Sequence, residues 1–268
     1  MLRKFMINTE ERAFLRCAVD DKSPVFLHSS LSSLGDKPVD VAAFIEEFFE
    51  SLGRDATLVM PTFSFQFNEE KFYDPIDTKC GTGKIPETFR KMTINNEKVL
   101  RNLNPMQSIA AVGKHSRDLV RMDCETTFGN NSAFDKLLKL DGTIVLLGCD
   151  YNKISFYHYL EEQLRVPYRY WKTFSGSIKI NDKLRTVDYK MFVRKLEYLP
   201  NINHFGMELE KQGKVEVGKI GSAIVRILKF RDIFEFLKIE MEKDPMALVN
   251  TNRDEWGIRC TEKQMKVL

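Results

Sequence analysis

Of the four histidines in the chain, one stands where proton chemistry is possible. His158 lies in the run SFYHYLEE, with Glu161 and Glu162 three and four residues further on. On a helix those spacings bring at least one carboxylate onto the face of the imidazole. A carboxylate bonded to one ring nitrogen fixes the tautomer and makes the other nitrogen the better base. The same residues also describe an ordinary histidine on an amphipathic helix with solvated glutamates, and taken alone they leave both readings open. The neighbouring Tyr157 is a candidate for substrate contact.

A second group has the chemistry of anion binding. HSSLSSLG, His28 to Gly35, puts four serines in a turn after an apolar run. Backbone N–H groups at such a turn face open space, a following helix favours an anion there, and hydroxyls add donors. A pyrophosphate suits it; so does the plainer role of capping the helix. CGTGK, Cys80 to Lys84, lacks the spacing of a P-loop and follows no apolar strand. Thr62 and Ser64 follow a buried run, at the carboxyl end of a strand, where α/β ligands bind. Cys149 follows the clearest strand and is a weak candidate for an acyl-carrying nucleophile, since no histidine lies within a few residues of it. His115 reads as a surface residue, and His204, in the loop-like NINHFGM, as a candidate for the acceptor pocket. The Phe-rich FSFQF, residues 63–67, reads as core and pocket wall.

The elements that position these residues alternate. Pro24–His28, Thr57–Pro61 and Thr143–Gly148 are short apolar runs bounded by turn residues, hence buried strands. Ser108–Val112 is a strand or strand edge. Helical spacing marks Val39–Leu52, closed by Gly53. Helices are also expected over Pro86–Met92, Ser132–Leu140, Ile154–Leu164 and Arg231–Glu242. Ser175–Phe192 holds two alternating runs joined by Asn181-Asp182, a hairpin signal, and Lys214–Ile227 suggests a strand and turn. The stretch after Pro245 is weakly patterned. The fold expected is three-layer α/β/α with a mostly parallel mixed sheet and a smaller C-terminal lobe. No linker divides the chain, so it reads as one domain with sub-lobes near 1–170 and 171–268.

Composition closes off several classes. Lys and Arg number 41 against 38 Asp and Glu, so the net charge of +3 is no nucleic-acid footprint. The N-terminus has no apolar core of a secretory signal, and no run of eighteen apolar residues exists, which points to the cytoplasm. The five cysteines are odd in number and widely spaced, which fits reduced thiols rather than a disulfide frame or a metal site. A serine hydrolase would need G-x-S-x-G, and a Rossmann dehydrogenase G-x-G-x-x-G after the first strand; neither is present.

Seven stretches, in order, resemble the aminoglycoside 3-N-acetyltransferase family. They are FLHSSLSSLG (26–35), TLVMPTFS (57–64), GTGKIPETFR (81–90), RNLNPMQSIAAVG (101–113), FGNNSAFDKLLKLDGTIVLLG (128–148), SFYHYLEE (155–162) with VPYR (166–169), and GKIGSAIVRILKFRDI (218–233). The resemblance implies an α/β fold, acetyl-CoA or another acyl-CoA as donor, an amine on a sugar ring as acceptor, no metal, and a homodimer. It implies that His158 is the general base, oriented by Glu161 or Glu162. It implies that His28, Ser29, Ser30, Leu31 and Ser33 form the donor loop. Ser108 falls near the thioester by its matched position, and Ser132 and Phe134 along the pantetheine arm. One departure stands out: Asn104 occupies the place of a family histidine, so a role resting on that imidazole is altered, and Asn104 is left as a candidate for substrate contact. A catalytically silent relative is the rival reading.

Acyl transfer from a thioester asks little of a protein: hold the donor, take a proton from the amine or the forming adduct, and stabilise the oxyanion. A polycationic aminoglycoside favours a site rich in carboxylates. The region from Tyr168 to Lys219 instead mixes Arg169, Lys172, Lys179, Arg194 and Lys195 with few clustered acids. That charge favours a less cationic acceptor, such as a nucleotide-linked amino sugar.

Overall fold

The structure, a computed structural model, describes residues 6–36, 38–122 and 124–250; Cys260 and the rest of the stretch from 251 to 268 lie outside them. Its centre is a set of mostly apolar strands buried at nearly every position. Alternate side chains of each strand enter different cores. Phe26, Val59, Ile144 and Leu146 pack on one side, and Val25, Leu27, Leu58, Met60, Val145 and Leu147 on the other. The helices Thr9–Ala18, Val41–Leu52 and Lys84–Phe89 cover the second face through Leu15, Phe44, Phe48 and Phe89. The helices Ala133–Lys139, Tyr157–Gln163 and Phe230–Lys243 cover the first through Phe134, Leu160 and Phe230.

The large sheet has seven strands, in the order Val215–Ile220, Ala223–Lys229, Thr143–Leu147, Pro24–Ser29, Thr57–Pro61, Ile109–Gly113, Leu100–Arg101. It is mixed, as expected, but its parallel part is narrower than the alternation of elements suggests. Only Pro24–Ser29 has parallel partners on both sides; the outer pairings are antiparallel. The reason lies in the connections. Val215–Ile220 and Ala223–Lys229 are joined by a tight turn, which cannot produce a parallel pair.

The strands Arg169–Ile180 and Lys183–Arg194 form a long hairpin with Phe72–Tyr73 added at one edge. Asn181 and Asp182 both take positive φ, 48° and 61°, the geometry of a tight two-residue hairpin turn. The strands outrun the alternating sequence at both ends, so the boundary expected near residue 170 falls inside the first of them. The chain then returns to the large sheet with Val215–Ile220 and Ala223–Lys229. Among the described residues, Cys17, Cys80 and Cys149 are free thiols, no metal-binding group of side chains occurs, and no helix is long and apolar enough to cross a membrane.

Candidate active site

The helix Tyr157–Gln163 carries His158 and Glu161 on one face, three residues apart, as the sequence suggests. Imidazole Nδ1 lies 2.8 Å from Glu161 Oε2. Arg169, the first residue of the hairpin, brings Nη2 to 2.6 Å from the same carboxylate oxygen and 2.6 Å from the same ring nitrogen. An ionised carboxylate only accepts and a guanidinium only donates. Nδ1 therefore serves one of them, and the assignment that satisfies all three groups has Nδ1–H donating to Glu161 while Arg169 donates to the carboxylate. Nε2 keeps its lone pair. Arg169 is anchored from the far side by Nη1 donating to the Phe192 carbonyl at 2.7 Å.

The electrostatics agree with a neutral ring. Burial, and then the Arg169 charge, pull the His158 pKa down to about 4 against the opposing pull of Glu161. Burial alone would raise the Glu161 carboxyl, but Arg169 and the imidazole outweigh it and hold it below the ordinary carboxylate range. Glu162 goes its own way. It turns from the imidazole, takes the Thr126 hydroxyl, and is pushed upward by burial.

His158 opens on a cavity of about 110 Å³. Met106, Phe174, Met191 and Val193 supply its apolar wall, and Gln107, Tyr157, Arg169 and Arg194 its polar lining. Arg194 lies directly opposite Arg169 in the hairpin register. Tyr157 is the substrate-contact candidate the sequence offers here; Gln107 carries no sequence signal, and Arg169 and Arg194 are visible in the sequence only as charge. The signal for the two arginines was the hairpin itself, since its pairing puts residues equally far from Asn181-Asp182 side by side.

The serine turn folds as a short 3-10 turn, Leu31–Leu34. Ser30 N–H donates to the Leu147 carbonyl at 2.9 Å, and Ser33 Oγ to the Ser30 carbonyl at 2.6 Å. Gly148, at φ +62°, lies so close that a Cβ there would meet Ser33 Oγ at 1.8 Å. The serines do not cap the next helix, because Asp40 does, accepting from Ala43 N–H at 3.2 Å. Leu31 and Ser32 instead edge an open pocket of about 440 Å³ with Gly35, Asp36 and Lys84. His28 is buried with Nε2 unpartnered, and burial takes its pKa down to about 3; the Ser29 hydroxyl is likewise buried and unpartnered.

Several expected contact residues are spent on the interior. Thr62, Ser64 and Ser108 are fully buried around Arg101. Its guanidinium donates to the Thr62 carbonyl at 2.5 Å, the Ser64 hydroxyl at 2.7 Å and the Thr78 carbonyl at 2.6 Å, and Ser108 Oγ donates to the Thr62 carbonyl. No face of these three is left for a thioester or a pantetheine. Ser132 caps the helix Ala133–Lys139 by accepting from Asp135 N–H, and Phe134 packs against Phe26 and Phe128 in the core. Asn104 is a turn residue: Oδ1 accepts from Met106 and Gln107 N–H, and Nδ2 donates to Thr127. It orients Gln107 rather than facing the cavity. His204 sits on a helix, Asn203–Lys211, not in a loop, with its ring against Phe205 and Asn201, and does not line the cavity. Burial pushes the Cys149 thiol up to about 11, the reverse of an activated nucleophile.

Known proteins with this architecture agree on its kind. Over 235 residues the chain is 26% identical to the SPbeta prophage-derived aminoglycoside N(3')-acetyltransferase-like protein YokD of Bacillus subtilis (strain 168), covering 79% of this chain and 83% of that one. It is 25% identical over 242 residues to aminoglycoside N(3)-acetyltransferase IV of Salmonella sp, covering 88% and 87%. Among solved structures, a histidine-to-alanine mutant of aminoglycoside acetyltransferase AAC(3)-IVa in complex with a gentamicin superposes with a TM-score of 0.76 at 22% identity over the full length of both chains. AAC-IIIb binary with CoASH gives 0.75 at 18%, covering 90% of this chain and 97% of that one. The family model for aminoglycoside 3-N-acetyltransferase matches residues 26–242, far more than half of the sequence, and the chain belongs to that family of acyltransferases.

Proposed function

We propose that the protein transfers an acetyl group from acetyl-CoA to an amine of an amino sugar, with His158 as general base and no covalent acyl-enzyme. The observation that carries this is the His158–Glu161–Arg169 array at the wall of the cavity. The amine nitrogen attacks the thioester carbonyl carbon and forms a tetrahedral adduct. That adduct sheds an N–H proton more readily than the starting ammonium, so a base of low pKa serves. Nε2 takes the proton, Glu161 steadies the imidazolium, the C–S bond breaks, and the departing thiolate recovers the proton. Amide and CoA thiol are the products.

The pocket between the serine turn and Lys84 offers the donor's phosphates the Ser32 hydroxyl and the Lys84 ammonium, with the Asp36 carboxylate also at its edge. The silent-relative reading rested on Asn104, and that residue holds a turn away from the cavity. The test is thiol release from acetyl-CoA in the presence of kanamycin-type amines and of nucleotide-linked amino sugars. His158→Gln should lower turnover by about a hundredfold or more while CoA still binds. Near-normal turnover in that variant removes the imidazole from the mechanism.

A further inference from the structure

Five basic side chains of the region after Tyr168 were singled out by charge, and the structure sorts them. Arg169 is paired with Glu161. Lys172 lies over the Phe174 ring, 4.8 Å from its centroid. Lys179 bridges Asp74 and Asp182. Lys195 donates to the Pro167 carbonyl at 3.1 Å. The Arg194 guanidinium makes no hydrogen bond or ion pair to any described residue, and the residue, partly withdrawn from solvent, lines the cavity that holds His158.

Its position is a costly one. Like charges directly opposite across a strand pair repel, and Arg194 is opposite Arg169, whose carboxylate partner among the described residues is Glu161. Burial and the Arg169 charge act against the Arg194 cation and outweigh the favourable pull of Tyr157, Glu161 and Tyr168. A guanidinium so placed lacks a counter-charge that a ligand can supply. A second orphan sits in the same cavity: Gln107, 5% exposed, leaves Oε1 without a partner. A guanidinium facing the open space and an amide carbonyl together match a group that is anionic and carries a hydroxyl or amine donor beside the charge.

Resting on the acyl transfer read above, we infer that Arg194 seats an anionic substituent of the acceptor, so that the preferred amines carry a carboxylate or phosphate on the ring rather than several further ammonium groups. The donor's own phosphates are ruled out as the counter-charge. The pantetheine arm separates them from the thioester, whereas Arg194 and His158 share one small cavity. A polycationic acceptor would bring its charges against two arginines.

The test compares D-glucosamine with its 6-phosphate and with the corresponding aminouronic acid, in the full-length protein with acetyl-CoA. The two anionic acceptors separate phosphate from carboxylate as the source of the charge. The expected result is a kcat/KM at least tenfold higher for one or both of them than for glucosamine, and a tenfold or greater fall of that ratio in Arg194→Gln. An unchanged ratio, whatever happens to the overall rate, overturns the assignment and leaves Arg194 to the oxyanion or to folding. Calorimetric binding of glucosamine 6-phosphate and the aminouronic acid in the presence of CoA reads the same preference without turnover. Loss of that affinity in Arg194→Gln, with Arg194→Lys retaining part of it, supports the seat even if His158 proves dispensable; equal binding of charged and uncharged sugars to the wild type sinks it.

Discussion

Two arginine-centred clusters lie inside this protein, and they are opposite in kind. Around Arg101 the guanidinium donates to the carbonyls of Thr62 and Thr78 and to the hydroxyl of Ser64, while Ser108 closes the set. Around Arg169 the carboxylate of Glu161 is shared with an imidazole. Beside it Gln107 Oε1 has no hydrogen-bond partner, and Arg194 faces the same cavity without an ion pair. Buried polar groups are nearly always satisfied. A cluster that satisfies itself ties strands together; one that does not keeps valences for something that arrives. The first contains neutral acceptors only and can change no protonation state. The second holds a ring whose two nitrogens have different neighbours.

The comparison is broken most directly by swapping the expected losses. Arg101→Met removes the charge-assisted hydrogen bonds to the Thr62 and Thr78 carbonyls and the Ser64 hydroxyl, and a hydrogen bond to a charged group is worth about 1.5–3 kcal/mol. Urea unfolding should show a loss of roughly 3 kcal/mol or more, with the pH dependence of any remaining activity unaltered. His158→Gln should do the reverse: a rate loss of about a hundredfold, with stability held within about 1 kcal/mol because Glu161 keeps Arg169. If Arg101→Met folds normally, or His158→Gln unfolds the protein, the division between structural and reactive clusters fails.

A smaller effect sharpens the same contrast through pH. An unfolded imidazole titrates near 6.5, and the folded His158 near 4. Between these values the unfolded chain binds a proton that the folded chain refuses. Stability is therefore full above pH 6.5 and declines as the pH falls towards 4. His28, at about 3, adds a slope of the same sign. His158→Gln should flatten the decline of Tm across this window by about a few degrees. An identical slope in the variant would show that the ring is not held neutral by its surroundings. NMR titration of the imidazole gives an independent midpoint.

What the sequence makes legible follows from the range of each signal. The strands Pro24–Ser29 and Thr143–Leu147 are covered on both faces, so each reads as a short, nearly continuous apolar run. Asn181-Asp182 declares its turn through residues that tolerate positive φ. His158 and Glu161 are three apart on one helix, so their contact is visible locally. Ser64, by contrast, looks like a ligand-facing serine until Arg101, 37 residues later, takes its hydroxyl. Phe134 sits in a motif implying donor contact, yet its ring is used in the core. The meeting of Arg169 and Arg194 depends on a twelve-residue register, and the orphan state of Arg194 on Glu161 being already committed to Arg169 and His158. Pattern reasoning detects short-range pairs and periodic burial; it does not see which of several polar side chains a distant arginine will claim.

The finest test of the two clusters is Ser108→Ala. Its matched position in the family points to the thioester, while its hydroxyl in this fold is 0% exposed and donates to the Thr62 carbonyl. If the Arg101 cluster is purely structural, the substitution removes a hydroxyl that donates to the Thr62 carbonyl and accepts from Thr62 Oγ1 and Arg101, while Arg101 remains a donor to that carbonyl, costing about 1–2 kcal/mol in urea unfolding. The KM for acetyl-CoA should stay within twofold of the wild type. A rise of several-fold in that KM, with stability unmoved, would mean that the donor reaches Ser108 when it binds. The Arg101 cluster would then open during catalysis, and its apparent self-sufficiency would describe only the state without donor.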